Sequence, residues 1–245
     1  AERALGDLNF DESFSASCNR AFGDLAKRLK GKDPNLLEEY AKKLGLIGKI
    51  SWQGDVYHFT DFRQLREDEG QVFSKEDSKV DDNFVAQTGI GQQEVRVTPL
   101  AVANMMATIA RGGERQAVKA VSAIKYQDGT TMMDFPKQGN KDDSISKVTA
   151  MKLQGMLRHV VTSNQGTGRW FQNLPYEVAG KSGTAETGIY NENNQQLHNK
   201  WFAGYFPFNQ PKYALVVVNL GVPENEGGIN PLFSDIIQSI YEYDQ

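Results

Sequence analysis

Two short strings in this chain carry residue types that do chemistry together. The first is Ala179-Gly180-Lys181-Ser182-Gly183-Thr184-Ala185-Glu186. A lysine beside a hydroxyl suits a carboxylate ligand, and a glycine lets another backbone approach closely. The N–H just past that glycine can face a developing oxyanion. The same letters also end the phosphate-loop pattern G-x-x-x-x-G-K-[ST]. That pattern fails, because Pro175 stands where its first glycine belongs and Thr187-Gly188-Ile189-Tyr190-Asn191 is a poor helix start. An exposed turn is the plainest alternative. The second string is Ser17-Cys18-Asn19, ahead of Phe22, Leu25 and Leu29 at helical spacing. A serine there can relay a proton, and an asparagine can hold a substrate amide. Both types are equally favoured at a helix N-cap.

Composition narrows the chemistry. The 245 residues carry 27 Lys+Arg against 31 Asp+Glu, a mildly acidic balance that argues against a nucleic-acid partner. With 39% apolar and 24% charged residues the chain is an ordinary globular one, long enough to bury a sizeable core. Cys18 is the sole cysteine, so an internal disulfide framework is excluded. His58, His159 and His198 form no HExxH or His-x-His pair, so neither a metal nor another cofactor is expected. The longest apolar runs, such as Ala214–Val218, fall far short of the ~18 residues a membrane span needs. The start Ala1-Glu2-Arg3 fits either a cytosolic protein or a piece of a longer one.

Element signals place the two strings. Asp33-Pro34 reads as an N-cap with Pro at the first helical position, and Gly45 ends that helix. Thr98-Pro99 repeats the device, with Leu100, Ala103, Met106, Ala107 and Ala110 on one face and Gly112-Gly113 closing. A further helix runs from about Ser146 through Leu153, Met156, Leu157 and Val160, and the last starts at Asn230-Pro231. Helices dominate residues 11–160, apart from a strand over Ala120–Tyr126. Residues 63–82 are highly charged and read as a surface loop. Strand signals gather late, at Tyr176–Gly180, Trp201–Phe206 and Tyr213–Leu220, with a polar hairpin loop over Tyr190–Asn199 and a tight turn at Asn209–Lys212. Three adjacent strands with short connections predict an antiparallel meander, one face covered by the final helix. Cys18 reads as a small core residue.

The order of the motifs adds what neither string supplies alone. Between Ser17-Cys18-Asn19 and Lys181-Ser182-Gly183-Thr184 lie Thr88-Gly89-Ile90-Gly91-Gln92 and Val97-Thr98-Pro99-Leu100, and Trp201-Phe202-Ala203-Gly204-Tyr205-Phe206-Pro207 follows. With these the chain resembles, over essentially all its length, the transpeptidase domain of penicillin-binding proteins, most nearly the class B, monofunctional branch. Ser182 replaces the family's commoner threonine and keeps the hydroxyl. The resemblance implies an α+β fold of the β-lactamase/transpeptidase type, an antiparallel sheet covered by helices with an adjoining all-helical subdomain. On that reading residues 1–245 are the C-terminal part of one transpeptidase domain, with 1–160 mainly helical and 161–245 the sheet meander plus C-terminal helix.

The resemblance also implies a reaction: serine acyl transfer at a D-alanyl-D-alanine peptide end, cross-linking peptidoglycan and blocked by β-lactams. Carried over by motif, Ser17 shuttles the proton to the leaving group, Asn19 holds the substrate amide and Lys181 sets the electrostatics. Ser182, Gly183 and Thr184 form the substrate-binding strand, two of them through hydroxyls on the substrate carboxylate. The Thr184 N–H serves the oxyanion hole.

The family's nucleophile is the serine of a Ser-x-x-Lys motif ahead of Ser-x-Asn, and residues 1–16 contain none. Ser122-Ala123-Ile124-Lys125 and Ser144-Ile145-Ser146-Lys147 fit by letter but lie in the wrong order. Ser122 falls in a predicted strand and Ser144 in a capping segment. The expectation is therefore that the nucleophile sits on another, N-terminal polypeptide segment, and that this chain by itself is inactive. A non-catalytic scaffold and a β-lactam-hydrolysing or β-lactam-sensing relative are the alternatives. The family works at the extracytoplasmic face of the bacterial membrane, tethered by an N-terminal helix, which would lie upstream of this chain.

Overall fold

The structure, a computed structural model, describes residues 6–48, 69–73, 81–135 and 141–245. Short helices come first: α1 (Phe10–Ser15), α2 (Asn19–Lys32), α3 (Leu36–Lys43), α4 (Asp82–Gly89) and α5 (Pro99–Ala110). Two small antiparallel ribbons follow, β1 (Glu114–Gln116) with β4 (Lys141–Asp143), and β2 (Ala123–Lys125) with β3 (Thr131–Asp134). Then come α6 (Lys147–Thr162), the strands β5 (Ala179–Tyr190), β6 (Gln196–Phe206) and β7 (Tyr213–Pro223), and α7 (Asn230–Tyr243).

Side-chain caps start most of these helices where the sequence asks for them. Thr98 accepts from the Ala101 N–H, with Pro99 in the first turn, and Ser146 accepts from Thr149. Asn9 and Glu12 form a reciprocal capping box that starts α1, a helix the sequence reading did not anticipate. One expected cap is corrected. Asp33 ends α2, and its carboxylate accepts from the Asn35 N–H at 2.9 Å in a local turn, so α3 begins two residues later than the Asp33-Pro34 device implied.

The strands β5, β6 and β7 form one antiparallel sheet in that order. Alternation along β6 sends its residues to two cores. Phe202 and Phe206 pack with Phe171, Val217, Phe233 and Ile237 under α7. Ala203 and Tyr205 pack with Met106, Ile109 and Leu157 under α5 and α6. The Phe171, Phe202 and Phe233 rings meet at centroid distances of 4.5–4.8 Å, each pair worth about 0.5–1.5 kcal/mol beyond area burial. The expected meander with the last helix on one face is present, but its first hairpin is longer than the sequence suggested. The polar residues Gln196–Asn199 are strand, and the loop shrinks to 191–195. There Asn191 Oδ1 accepts from the N–H groups of Asn193 and Gln195, and Asn194 takes a φ of 58°.

Strand register explains two glycines. Gly180 faces Gly204 across β5 and β6. A Cβ on Gly180 would lie 2.6 Å from both the Ala203 carbonyl and the Phe202 ring, so the sheet closes there only over glycine. The charged stretch 63–82 lies outside the described residues except for 69–73 and 81–82, and the latter open α4. Among the described residues no helix is long and apolar enough to cross a membrane.

Candidate active site

Three elements converge at the outer edge of the sheet. The first is the corner between α1 and α2. The chain reverses there at Ser17, which takes a φ of 57°, a left-handed conformation that costs a non-glycine residue about 1–2 kcal/mol. Cys18 then becomes the N-cap of α2 and Asn19 its first residue, and no side chain caps this helix. The capping reading of Ser17 and Asn19 therefore fails, and the Ser17 hydroxyl is aimed elsewhere. Cys18 is partly exposed at this corner rather than a core residue, which corrects the expectation.

The second element is β5. Lys181-Ser182-Gly183-Thr184 lies within the strand, so both the exposed-turn and the phosphate-loop readings are excluded by local geometry. Arg158 of α6 fixes the approach to this strand, donating to the Val178 carbonyl at 2.8 Å and pairing with Glu177 at 3.1 Å. Lys181 Nζ donates to Ser17 Oγ at 2.7 Å and to the Ser182 carbonyl at 2.9 Å. Its ammonium also stands 6.0 Å from the centre of the Phe14 ring. Ammonium groups only donate, so Ser17 accepts and keeps its own proton free for a third group. Burial pushes the Lys181 amine down from 10.5 to about 8. About a tenth of such an amine is neutral at pH 7. Lys181 is therefore a readier proton donor than an ordinary lysine once Ser17 has given up its own proton.

The third element is the loop after α6. Ser182 Oγ donates to Thr167 Oγ1 at 2.7 Å, and the Thr167 N–H donates to the Ser15 carbonyl at 3.2 Å. Thr167 thus ties β5 to the α1–α2 corner. The sequence reading missed it, along with Phe14. A signal was present: Thr167 stands between two glycines, and a Cβ at Gly166 would fall 2.1 Å from the Val160 carbonyl, so the loop can fold back on α6 only there.

Of the other expected site residues, Asn19 and Thr184 are solvent-exposed and Gly183 is partly so. A Cβ at Gly183 would meet only Trp201 Cβ, at 3.6 Å, an ordinary contact. The fold itself does not demand glycine at that position. The two Ser-x-x-Lys strings are not joined to this cluster. Ala123–Lys125 is strand β2, with Ser122 just ahead of it and not on a helix. Ser144 is buried and donates to the Lys43 carbonyl. Among the described residues no cluster of His, Cys, Asp or Glu could hold a metal ion.

Comparison with known proteins identifies the family of this fold. Residues 2–238 match the family described as the penicillin binding protein transpeptidase domain. The peptidoglycan D,D-transpeptidase MrdA of Haemophilus influenzae is 30% identical over 173 residues, covering 63% of this chain and 25% of that protein. The peptidoglycan D,D-transpeptidase PbpA of Mycobacterium tuberculosis is 28% identical over 212 residues, covering 86% of this chain and 38% of that protein. The structure of M. tuberculosis penicillin-binding protein A as an imipenem acyl-enzyme complex superposes with a TM-score of 0.71 at 25% identity, over 97% of this chain and 48% of that one. The chain thus spans from about a quarter to about half the length of these relatives. With the fold, the motif order and the match over nearly every residue in agreement, the chain belongs to the penicillin-binding-protein transpeptidase domain family.

Proposed function

We propose that these 245 residues supply most of the cleft of a serine D,D-transpeptidase that cross-links peptidoglycan stem peptides and is acylated by β-lactams. The observation that carries this reading is the 2.7 Å contact between Lys181 Nζ and Ser17 Oγ, made by a serine held in a left-handed conformation and not used as a cap. Strain retained at a polar residue that does nothing for its own helix is a mark of a functional site.

In this reading an attacking serine, its proton taken up by the lysine of its own Ser-x-x-Lys motif, adds to the carbonyl of the penultimate D-alanine. The tetrahedral oxyanion is held in part by the Thr184 N–H. Ser17 passes its free proton to the departing amine of the last D-alanine and is reprotonated by Lys181. The shift of Lys181 toward neutrality makes that relay feasible at pH 7. Thr184 donates to the substrate carboxylate, and Ser182 joins it when its hydroxyl proton turns from Thr167, which then donates to Ser182 in its place. Asn19 holds a substrate amide from the opposite wall. Gly183 leaves room for the substrate backbone, which accounts for a glycine that packing does not require.

The attacking serine, in a Ser-x-x-Lys helix, belongs in this proposal to a polypeptide segment outside these residues, and the chain by itself is inactive. Exposed apolar side chains support the idea that more protein packs here. Val148 and Met151, one turn apart on α6, are 64% and 60% exposed, and Trp170 is 64% exposed. An upstream membrane anchor and an extracytoplasmic location belong to the same proposal. The test is acylation of the full-length protein by benzylpenicillin. Ser17→Ala and Lys181→Met should each slow it by about 100-fold or more, the usual contribution of a positioned proton relay. Rates unchanged by both substitutions would exclude the relay.

A further inference from the structure

The helix that delivers Ser17 cannot hold itself. α1 has six residues, well short of the about 12–15 at which an isolated helix becomes even marginally stable. Its buried residues are two serines, Ser13 and Ser15, and its first residue, Phe10, is exposed. Phe14 meets the Phe22 ring edge-on at 5.9 Å and is half-buried. So small an apolar area does not fix the direction of a helix. Polar ties must do so.

Ties of this kind reach α1 from α6 and from the loop behind it. At the C-terminal end of α1 the Ser15 carbonyl accepts from the Thr167 N–H at 3.2 Å. Near its N-terminal end the Asp11 carboxylate meets His159 Nδ1. His159 lies in the last turn of α6. The loop that carries Thr167 folds back on that same turn, the Gly168 N–H donating to the Val160 carbonyl at 3.1 Å. α1 is therefore clamped at both ends to the end of α6, where Leu157, Val160 and Val161 are buried. The reaction set out above draws on the Thr167 tie and leaves the Asp11–His159 tie without a role.

What the clamp controls is Ser17. The Ser17 N–H donates to the Phe14 carbonyl at 3.1 Å, and the Cys18 N–H donates to the Ser13 carbonyl at 2.9 Å, so the left-handed corner is bonded to α1 itself. A six-residue helix is about 9 Å long. Released at Asp11, it swings about its Ser15 tie and carries Ser17 Oγ away from the Lys181 ammonium. A misplacement of about 1 Å is enough to cost about 100-fold in rate. We propose that Asp11 and His159 are positioning residues for the proton relay, their side-chain contact fixing α1 so that Ser17 Oγ stays within reach of Lys181. They act through α1 and not on the reacting atoms. This inference rests on the acyl-transfer reading above and adds to it a pair of residues on which the relay depends.

The test is benzylpenicillin acylation of the full-length protein, resolved into the dissociation constant of the initial complex and the rate constant of the acylation step. His159→Ala and Asp11→Ala should each slow the acylation step by about tenfold and change the dissociation constant by less than about twofold. The double variant should be no slower than either single one, because the two side chains act as a unit. His159→Asn, whose amide puts a donor where Nδ1 stands, should recover most of the rate. Losses that multiply in the double variant, a change confined to the dissociation constant, or no rescue by asparagine overturns the proposal. A merely structural contact would lower the melting temperature and leave the rate per folded molecule unchanged, and that result overturns it as well. Hydrogen exchange at the Ser17 and Cys18 amides separates the proposal from the acyl-transfer reading. Should the unmodified protein fail to react with benzylpenicillin, that reading falls, and the exchange still decides the role of the pair: faster in His159→Ala and restored in His159→Asn supports it, and equal exchange in all three proteins overturns it.

Discussion

Replacing Lys181 by methionine should change how stability responds to pH. The Lys181 amine is lowered from 10.5 to about 8 because burial disfavours its charged form. Its folded-state value therefore lies below its unfolded one. Between those two values the unfolded chain binds more protons, so stability rises with pH across that window and is flat on either side. Lowering the amine from 10.5 to about 8 corresponds to about 3 kcal/mol in total, of which roughly 2–3 kcal/mol accrues between pH 7 and pH 10. Methionine keeps the stem's bulk and removes the titration. Urea unfolding at pH 7 and pH 10 of both proteins isolates the effect, because the remaining lysines and tyrosines contribute equally to each. The unmodified protein should gain roughly 2–3 kcal/mol more than Lys181→Met over that range. At pH 7 the variant should be no less stable despite losing the contact to Ser17, since it no longer buries a charge. Equal pH responses would refute the reasoning. They would mean that Lys181 is as well solvated in the folded protein as in the unfolded one.

Other consequences follow from particular positions. Gly180→Ala should lower stability by about 1–3 kcal/mol or prevent folding, because its Cβ meets backbone and ring atoms at 2.6 Å, whereas Gly183→Ala should melt normally and lose β-lactam acylation. Thermal melts of the two, with benzylpenicillin acylation of Gly183→Ala, separate packing from substrate access. Ser17→Gly should be more stable than Ser17→Ala by up to about 1 kcal/mol in urea unfolding, since both lose the hydroxyl and only glycine relaxes at φ 57°. Asp244 holds α7 on the sheet by accepting from Tyr176 and Tyr213 at 2.6 and 2.7 Å, and those bonds, Tyr176 first, pull its carboxyl below the usual value. Its folded value lies below its unfolded one, so its contribution is present at neutral pH and lost as pH falls through the acid range. Tyr176→Phe with Tyr213→Phe should therefore raise the pH midpoint of acid unfolding followed by circular dichroism.

Much of this site was readable in the sequence, for a physical reason. The motifs are local strings whose backbone conformation is set nearby: Lys181 to Thr184 by strand residues on either side, and Thr98-Pro99 by its own capping chemistry. What was not readable depends on residues far apart in the chain. Ser17 carries the ordinary signature of a helix cap, and only the fold shows that Cys18 takes that place while Ser17 turns to a lysine 164 residues away. Thr167 matters through its contact with Ser182, which no spacing rule encodes. The Tyr190–Asn199 stretch misled through composition. Its Asn and Gln residues suggest loop, yet Gln196, His198 and Asn199 pair with Tyr190, Glu186 and Ala185 of β5, a register set by the neighbouring strand and not by local composition.

The central claim is that Ser17 and Lys181 serve a nucleophile that lies outside these 245 residues. Denaturing intact-mass spectrometry of the full-length protein, before and after benzylpenicillin, with the adduct then mapped by proteolysis, tests it directly. The account predicts one penicilloyl adduct, on the serine of a Ser-x-x-Lys segment beyond this chain, forming more slowly when Ser17 or Lys181 is replaced. An adduct on Ser17, Ser122, Ser144 or Ser182, or none at all, would contradict it.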